Sequence, residues 1–346
     1  MKQFAIIGAG MAGVVCARTL VQAGHRVTLF EKSRGFGGRM ATRHSPFGTF
    51  DHGAQYFTVR DARFRQAIDL TAAGLCKAWS ATAVRVLDPV GHVLEAALPG
   101  VEPHWVPVPG MSALVKTWAE PLAQAGMVHL QTRVQGIERG TGRSPWRVQA
   151  EDAEGRALAC DGFDGVVLAI PAPQARDLLR ASGLSDEASA LEDVRVDPCW
   201  TLMVAYPQAV QPGLITLGPQ WNVARSTHHR MAWMARESSK PGREKIERWT
   251  LQASASWSME HVQDSEDRVT AKMLKAFAEL SGIRVEPAHA QAHRWLYAKT
   301  RQALGVSHVW QARQGLGLCG DWCLGHRVED AFVSGLELAL HMVRGR

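Results

Sequence analysis

The chain has 346 residues, of which 46% are hydrophobic, and carries a net charge of +6 from 39 Lys and Arg against 33 Asp and Glu. This length exceeds one ordinary domain and supplies apolar side chains for two packed cores, while no run approaches the roughly 18 consecutive apolar residues of a membrane span. Basic residues are not interleaved with aromatic ones, so neither nucleic acid nor a membrane is expected as a partner, and the small basic excess suits an anionic small substrate or a solvated surface.

The first element in chain order is an apolar strand over 4–7, followed by the turn GAGMAG and a helical stretch in which Val14, Ala17 and Leu20 or Val21 share one face until Gly24. Each glycine has a task in such a turn. Gly8 allows a sharp exit from the strand, Gly10 lets a pyrophosphate approach the backbone, and Gly13 lets helix and strand pack closely. The helix N-terminus then offers unpaired N–H groups to phosphates. The next strand, 26–30, ends at Glu31, eighteen residues after Gly13, where a carboxylate can accept from an adenosine ribose and repel a 2′-phosphate. With a second glycine cluster in RGFGGR, which contains Gly37, Gly38 and Arg39, FAD is the expected dinucleotide. A signal-peptide reading of Lys2 and the run 4–15 fails because glycines interrupt the apolar core and no cleavage pattern follows.

Beyond FDHGAQYFT at 50–58, a helix is expected over 62–73, and residues 75–104 alternate apolar and polar positions as part of an antiparallel sheet. A turn at Pro109-Gly110 leads into a helix with Ser112 as its cap. Strands are predicted at 127–134 and 145–150, and a buried parallel strand at 166–170. Helices over 172–184 and 186–192 precede several Trp-rich strands between 197 and 257, the floor of a substrate domain. At the end a short strand over 316–319 and Gly320-Asp321 lead to a helix from Val328, with Phe332, Leu336, Ala339 and Met342 or Val343 on one face. The pattern is a nucleotide fold interrupted by a sheet domain and completed at the C-terminus.

The six cysteines, Cys16, Cys76, Cys160, Cys199, Cys319 and Cys323, are scattered without a CxxC, which fits a reducing, cytoplasmic setting. No metal is expected: Cys319 and Cys323 lack nearby partners, and His289 and His293 lie on an extended segment whose rings need not meet.

Taken together, GAGMAG, Glu31, RGFGGR, FDHGAQYF, GMSAL, VVLAIPAP and CGDWCLGHRVEDAFVSG resemble the renalase-like branch of the flavin amine oxidase superfamily, with matches from residue 4 to residue 340. The resemblance implies an α/β chain: a glutathione-reductase-like FAD domain with a Rossmann-type parallel sheet, and an inserted antiparallel-sheet substrate domain roofing the flavin. The FAD domain would comprise 1–74, 105–175 and 300–346, and the substrate domain 75–104 and 176–299. Gly8, Gly10, Ala12 and Gly13 would line the pyrophosphate, Glu31 the adenosine ribose and Val134 the adenine, with Arg39 adding a cation beside the phosphates. Gln55 and Tyr56 would reach the flavin edge and Asp321 the ribitol or a phosphate-bridging water. Lys32, Gly38 and Gly320 belong to the same cofactor set. Hydride arriving at flavin N5 leaves negative charge near N1, and a helix beginning at Val328-Glu329 would aim N–H groups at it.

The activity the resemblance implies is oxidation of dihydro-NAD(P) isomers reduced at the wrong ring carbon, with oxygen or another acceptor reoxidising the flavin. Loss of hydride then makes an aromatic pyridinium, so positioning supplies most of the catalysis. Monoamine oxidases carry a cage tyrosine where this chain has Arg327, and only Tyr56, Tyr206 and Tyr297 are present. No Ser-Gly-Gly-Cys segment is found, so the FAD is expected to be non-covalent. Arg327 could favour an anionic dinucleotide. Candidate substrate-side residues are Trp105, Asn222, Trp233, His293, Trp295 and Tyr297. The alternatives are an oxidase or desaturase of an amine, porphyrinogen or polyene, and a redox-silent flavin sensor.

Overall fold

The apolar run 4–7 lies in the strand Gln3–Ile7, central in a six-stranded sheet, and all four of its residues are buried. Arg26–Phe30 and Gly165–Leu168 flank it in parallel, and Val128–His129 and Leu316–Leu318 extend the sheet on either side, also parallel. Val309–Gln311 closes the far edge antiparallel. Strands covered on both faces are apolar without alternation, which is why GVVL is buried throughout. The computed structural model describes residues 1–80, 84–96, 102–140, 145–210 and 221–345.

Met11–Gln22 and the C-terminal helix Val328–Arg344 pack together at Gly335, where an added Cβ would lie 2.2 Å from the Ala12 carbonyl oxygen. The buried face of the C-terminal helix includes Phe332, Gly335, Leu338, Ala339 and Met342; Leu336, expected inside, is only half-buried, and of Met342 and Val343 it is Met342 that is buried.

The second sheet has seven strands in the order His289–Gln302, Arg195–Tyr206, Glu247–Ala253, Met231–Arg236, Val223–Ser226, Val84–Leu87 and Val93–Ala96. Its pairings are antiparallel except that of Val223–Ser226 with Val84–Leu87. Trp200, Trp221, Trp249 and Trp257 are core side chains here, packed with Val269, Met273 and Phe277 of the helix Glu266–Ser281. Residues 81–83 and 97–101 of the alternating stretch, and 211–220 of the Trp-rich one, lie outside the described residues.

Several expected elements differ in extent. The strand predicted over 127–134 is two elements: Val128–His129 stays in the parallel sheet, while Arg133–Arg139 joins Trp146–Glu151 and Ala157–Phe163 in a separate antiparallel sheet. Gln131 breaks the run at φ 53, its N–H donating to the Ser33 carbonyl at 3.0 Å. The helices over 172–184 and 186–192 are shorter, Ala172–Ala181 and Ser185–Ser189. Ser112 is the first residue of the helix Ser112–Gln124 and caps nothing. Among the described residues no helix is long and apolar enough to cross a membrane.

Candidate functional site

The first turn behaves as its glycines require. Gly8 has φ +106, and a Cβ there would fall 2.5 Å from the Ala169 carbonyl oxygen; at Gly13 it would fall 1.9 Å from that of Gly8. Gly10 differs, because a Cβ on it would meet nothing within 4 Å. The second glycine loop closes over the first: Gly37 N–H donates to the Ala9 carbonyl at 3.0 Å, and the nearest atom to a Cβ on Gly38 is Gly10 Cα at 3.5 Å. Two side-chain-free backbones thus border an open groove at the N-terminus of Met11–Gln22, which suits a pyrophosphate.

Glu31 is 7% exposed and ties this groove together. Its Oε2 accepts from Ala9 N–H and its Oε1 from Ser33 N–H, each at 2.8 Å. Thr132 N–H donates to the Glu31 carbonyl at 2.9 Å, so Val134 lies two residues from Glu31's neighbour. Lys32 is exposed. Glu31→Ala should weaken FAD binding roughly tenfold to a hundredfold, the loss of about 1.5–3 kcal/mol for charge-assisted contacts. The rate of flavin reduction at saturating FAD should barely change. Titrating apoprotein with FAD checks this; unaltered affinity would mean that the groove is misassigned.

The C-terminal motif meets the second loop through a bidentate pair, Arg39 Nη2 to Asp321 Oδ1 at 2.5 Å and Nη1 to Oδ2 at 3.0 Å. Arg39 Nη1 also donates to the Ala298 carbonyl at 3.3 Å. The cation expected beside the phosphates is therefore already paired with the carboxylate expected at the ribitol. Gly320 cannot be larger, since a Cβ would lie 2.4 Å from Trp322 Nε1, and its N–H donates to Ser334 Oγ at 2.9 Å.

Val328–Arg344 begins at Arg327, whose N–H donates to Asp330 Oδ2 at 2.8 Å. The Glu329 carboxylate is engaged elsewhere: Oε1 accepts from the N–H groups of Arg60 and Asp61, both at 2.6 Å, and anchors the start of the helix Ala62–Thr71. What Val328 and Glu329 can offer a ligand is their first-turn N–H groups.

The segment FDHGAQYF rests on a buried ion cluster absent from the sequence expectations. Asp51 Oδ2 accepts from Lys240 Nζ at 3.2 Å and from Arg243 Nη2 at 2.8 Å, and its Oδ1 accepts from Met111 N–H and Thr42 Oγ1, both at 2.8 Å. Lys240 also donates to Glu237 Oε1 at 3.0 Å and to Gln55 Oε1 at 3.2 Å. The side chains of Asp51, Glu237, Lys240 and Arg243 are fully buried. Burial pushes the Asp51 carboxyl up, but Lys240 and Arg243 outweigh it and hold it down at about 2. Burial pushes Glu237 up in spite of Lys240. Gln55, whose Nε2 donates to the Asp51 carbonyl, is therefore clamped at both ends of its amide.

The predicted substrate-side residues fall into two groups. His293 and Trp295 pack on His52, with ring centroids 4.9 and 5.0 Å from its ring, and Trp295 Nε1 donates to the His52 carbonyl at 2.9 Å. Burial, then His293 and Arg43, push His52 down to about 3; burial and Arg43 push His293 down to about 4, so both rings are neutral at neutral pH. His289 contacts Phe50 instead. Tyr297, half-buried, lies two residues further along the strand, where the pairing with Arg195–Tyr206 is irregular between Trp295 and Lys299. The other group surrounds Tyr56, which stacks on His104 at 3.9 Å between centroids and lies 5.9 Å from Trp233. Trp105 adjoins it through the bridge to Phe57. Asn222 is engaged by the Ser80 carbonyl, to which its Nδ2 donates at 2.6 Å. Asp51 and His52 lie in the FDHGAQYF motif, but His104 and the Glu237, Lys240 and Arg243 partners of Asp51 carry no motif signal of their own; only the pairing of distant segments brings them to the site.

Residues 6–69 match the model of an NAD(P)-binding Rossmann-like domain, and residues 94–342, well over half of the chain, match that of flavin containing amine oxidoreductases. The chain is 50% identical over 44 residues to an L-amino-acid oxidase of Naja atra, and 42% identical over 57 residues to a 4,4'-diapophytoene desaturase of Staphylococcus haemolyticus. These stretches cover 13% and 16% of this chain but only 9% and 11% of the two curated relatives. A solved structure from Exiguobacterium sp. 255-15, provisionally assigned as a protoporphyrinogen oxidase, superposes with a TM-score of 0.75 over 100% of this chain and 99% of that one. At 14% identity that likeness shows a shared fold. The matched family implies a flavin cofactor, and the open groove between two glycine turns fits FAD. By the extent of the family match, the chain belongs to the flavin containing amine oxidoreductases.

Proposed function

We propose that the chain is a renalase-like oxidase with non-covalent FAD, which accepts a hydride from dihydro-NAD(P) isomers and passes the electrons to oxygen or another acceptor. When bound, the flavin supplies the hydride acceptor at N5. Gly10, Ala12 and Gly38 would hold its pyrophosphate, Glu31 and Val134 its adenosine, and Asp321 its ribitol, with Gln55 and Tyr56 at the ring edge. The first-turn N–H groups of Val328 and Glu329 would meet the negative charge that reduction leaves on the pyrimidine. Residues 1–74, 105–175 and 300–346 are taken as a glutathione-reductase-like FAD domain, and 75–104 with 176–299 as an inserted substrate domain. The strand His289–Gln302 runs across the limit at 300. Six free cysteines accord with a cytoplasmic setting.

The observation that carries the substrate reading is the wall of the site. Tyr56 faces a histidine and a tryptophan, and Arg327 is exposed at the start of the C-terminal helix. That surface suits an anionic, planar substrate whose oxidation needs no general base. An amine or amino-acid substrate is the second reading, favoured by the relative named as an L-amino-acid oxidase. Anaerobic mixing decides between them. Faster bleaching of the flavin by 2- or 6-dihydro-NAD than by benzylamine, a polyamine or an L-amino acid is expected, and the reverse order would overturn the proposal. Acid precipitation should release all yellow colour to the supernatant, whereas a yellow pellet would show a covalent flavin.

A further inference from the structure

We infer that Arg225, set over the aromatic wall of Tyr56, His104 and Trp233, is an anion-binding subsite that takes the phosphate of a planar, phosphorylated heteroaromatic ligand. The inference rests on the reading of the substrate as a dinucleotide. Arg225 stands directly opposite Trp233 in the pairing of Val223–Ser226 with Met231–Arg236. Directly opposed residues project from the same face of a sheet, so the register alone sets the guanidinium beside the indole. The Arg225 Cζ lies 5.9 Å from the Trp233 ring centroid.

Three features make this a place for a ligand rather than a solvated arginine. First, Arg225 is exposed and, among the described residues, has no carboxylate partner, whereas Arg60 of the same region is held in a bidentate pair by Glu102. Second, burial and then Arg225 push the His104 imidazole down, which leaves the guanidinium as the cation of the wall. Third, Trp233 Nε1 is a buried donor with no hydrogen-bond partner, so a ligand oxygen would satisfy a group that otherwise pays for its desolvation. Tyr56, His104 and Trp233 are half-buried and present π-faces on which a heteroaromatic ring can lie. Arg327 is less suited, because the Glu102 carboxylate lies close enough to feel its charge.

The test uses FAD-loaded protein and measures equilibrium binding of nicotinamide mononucleotide and of nicotinamide riboside by calorimetry. Arg225→Gln should raise the dissociation constant of the mononucleotide roughly tenfold or more, the loss of one charge-assisted contact, and leave that of the riboside within about twofold. Arg225→Lys should recover part of the loss. Equal changes for the two ligands, or none for either, would overturn the subsite. Anaerobic flavin reduction by dihydro-NAD isomers separates this from the substrate reading. Reduction that is fast in wild type and insensitive to Arg225 would overturn the subsite alone. Phosphate-dependent binding at Arg225 without any reduction would uphold the subsite and overturn the dihydro-NAD(P) oxidase.

Discussion

Asp51→Ala should lower the unfolding free energy by roughly 3–5 kcal/mol, the cost of removing one partner from a buried ion pair. The substitution leaves Lys240 and Arg243 buried with only Glu237 beside them, and it strips an acceptor from Met111 N–H and Thr42 Oγ1. Because Lys240 also holds the Gln55 amide, the loop carrying Tyr56 should loosen as well. Asp51→Asn keeps the shape and an acceptor but not the charge, and should retain part of the loss. Urea unfolding checks both; a loss under about 1 kcal/mol for the alanine variant would mean that the cations rearrange to solvent. The sign of the pH dependence follows from the depressed carboxyl. Its stabilisation is present above the unfolded value of about 3.9 and fades as pH falls through about 2.

Gly335→Ala should be nearly as damaging despite adding a single methyl group. Its Cβ would lie 2.2 Å from the Ala12 carbonyl oxygen, a backbone atom that no rotamer change can move. One helix must shift against the other, at about 3 kcal/mol, the upper end of the usual cost of overpacking. Since Met11–Gln22 opens with the glycine cradle, FAD affinity should fall along with the melting temperature. Gly10→Ala is the contrasting case: its Cβ meets open space, so the protein should fold normally and lose FAD alone. Melting curves with and without added FAD tell the two apart. A Gly335→Ala protein with unchanged melting would show that the helices already have slack.

Local chemistry made part of this legible in the chain. Gly8 and Gly13 occupy backbone positions that tolerate no side chain, and the run 4–7 is apolar because both sheet faces are covered. The helix Glu266–Ser281 was equally legible, with Ser265 accepting from Arg268 N–H, Glu266 and Asp267 in its first turn and Gly282 at φ 76 after its end, yet it was not among the elements expected. The split after His129 was harder to foresee, because the interruption is a non-glycine residue with positive φ.

The sequence by itself determined the strand, glycine turn, helix and Glu31 that make a dinucleotide groove, since each rests on neighbours within one βαβ unit. Only the tertiary structure decided what surrounds that groove. Met111 N–H, just ahead of the helix Ser112–Gln124, is met by Asp51 from 60 residues away. Glu329 turns to the backbone of Arg60 and Asp61, and Arg39 to Asp321. Arg225 acquires its place over Trp233 from strand register. A charge declares its sign in sequence, but its partner is set by which distant strands pair, and burial then makes that partner obligatory.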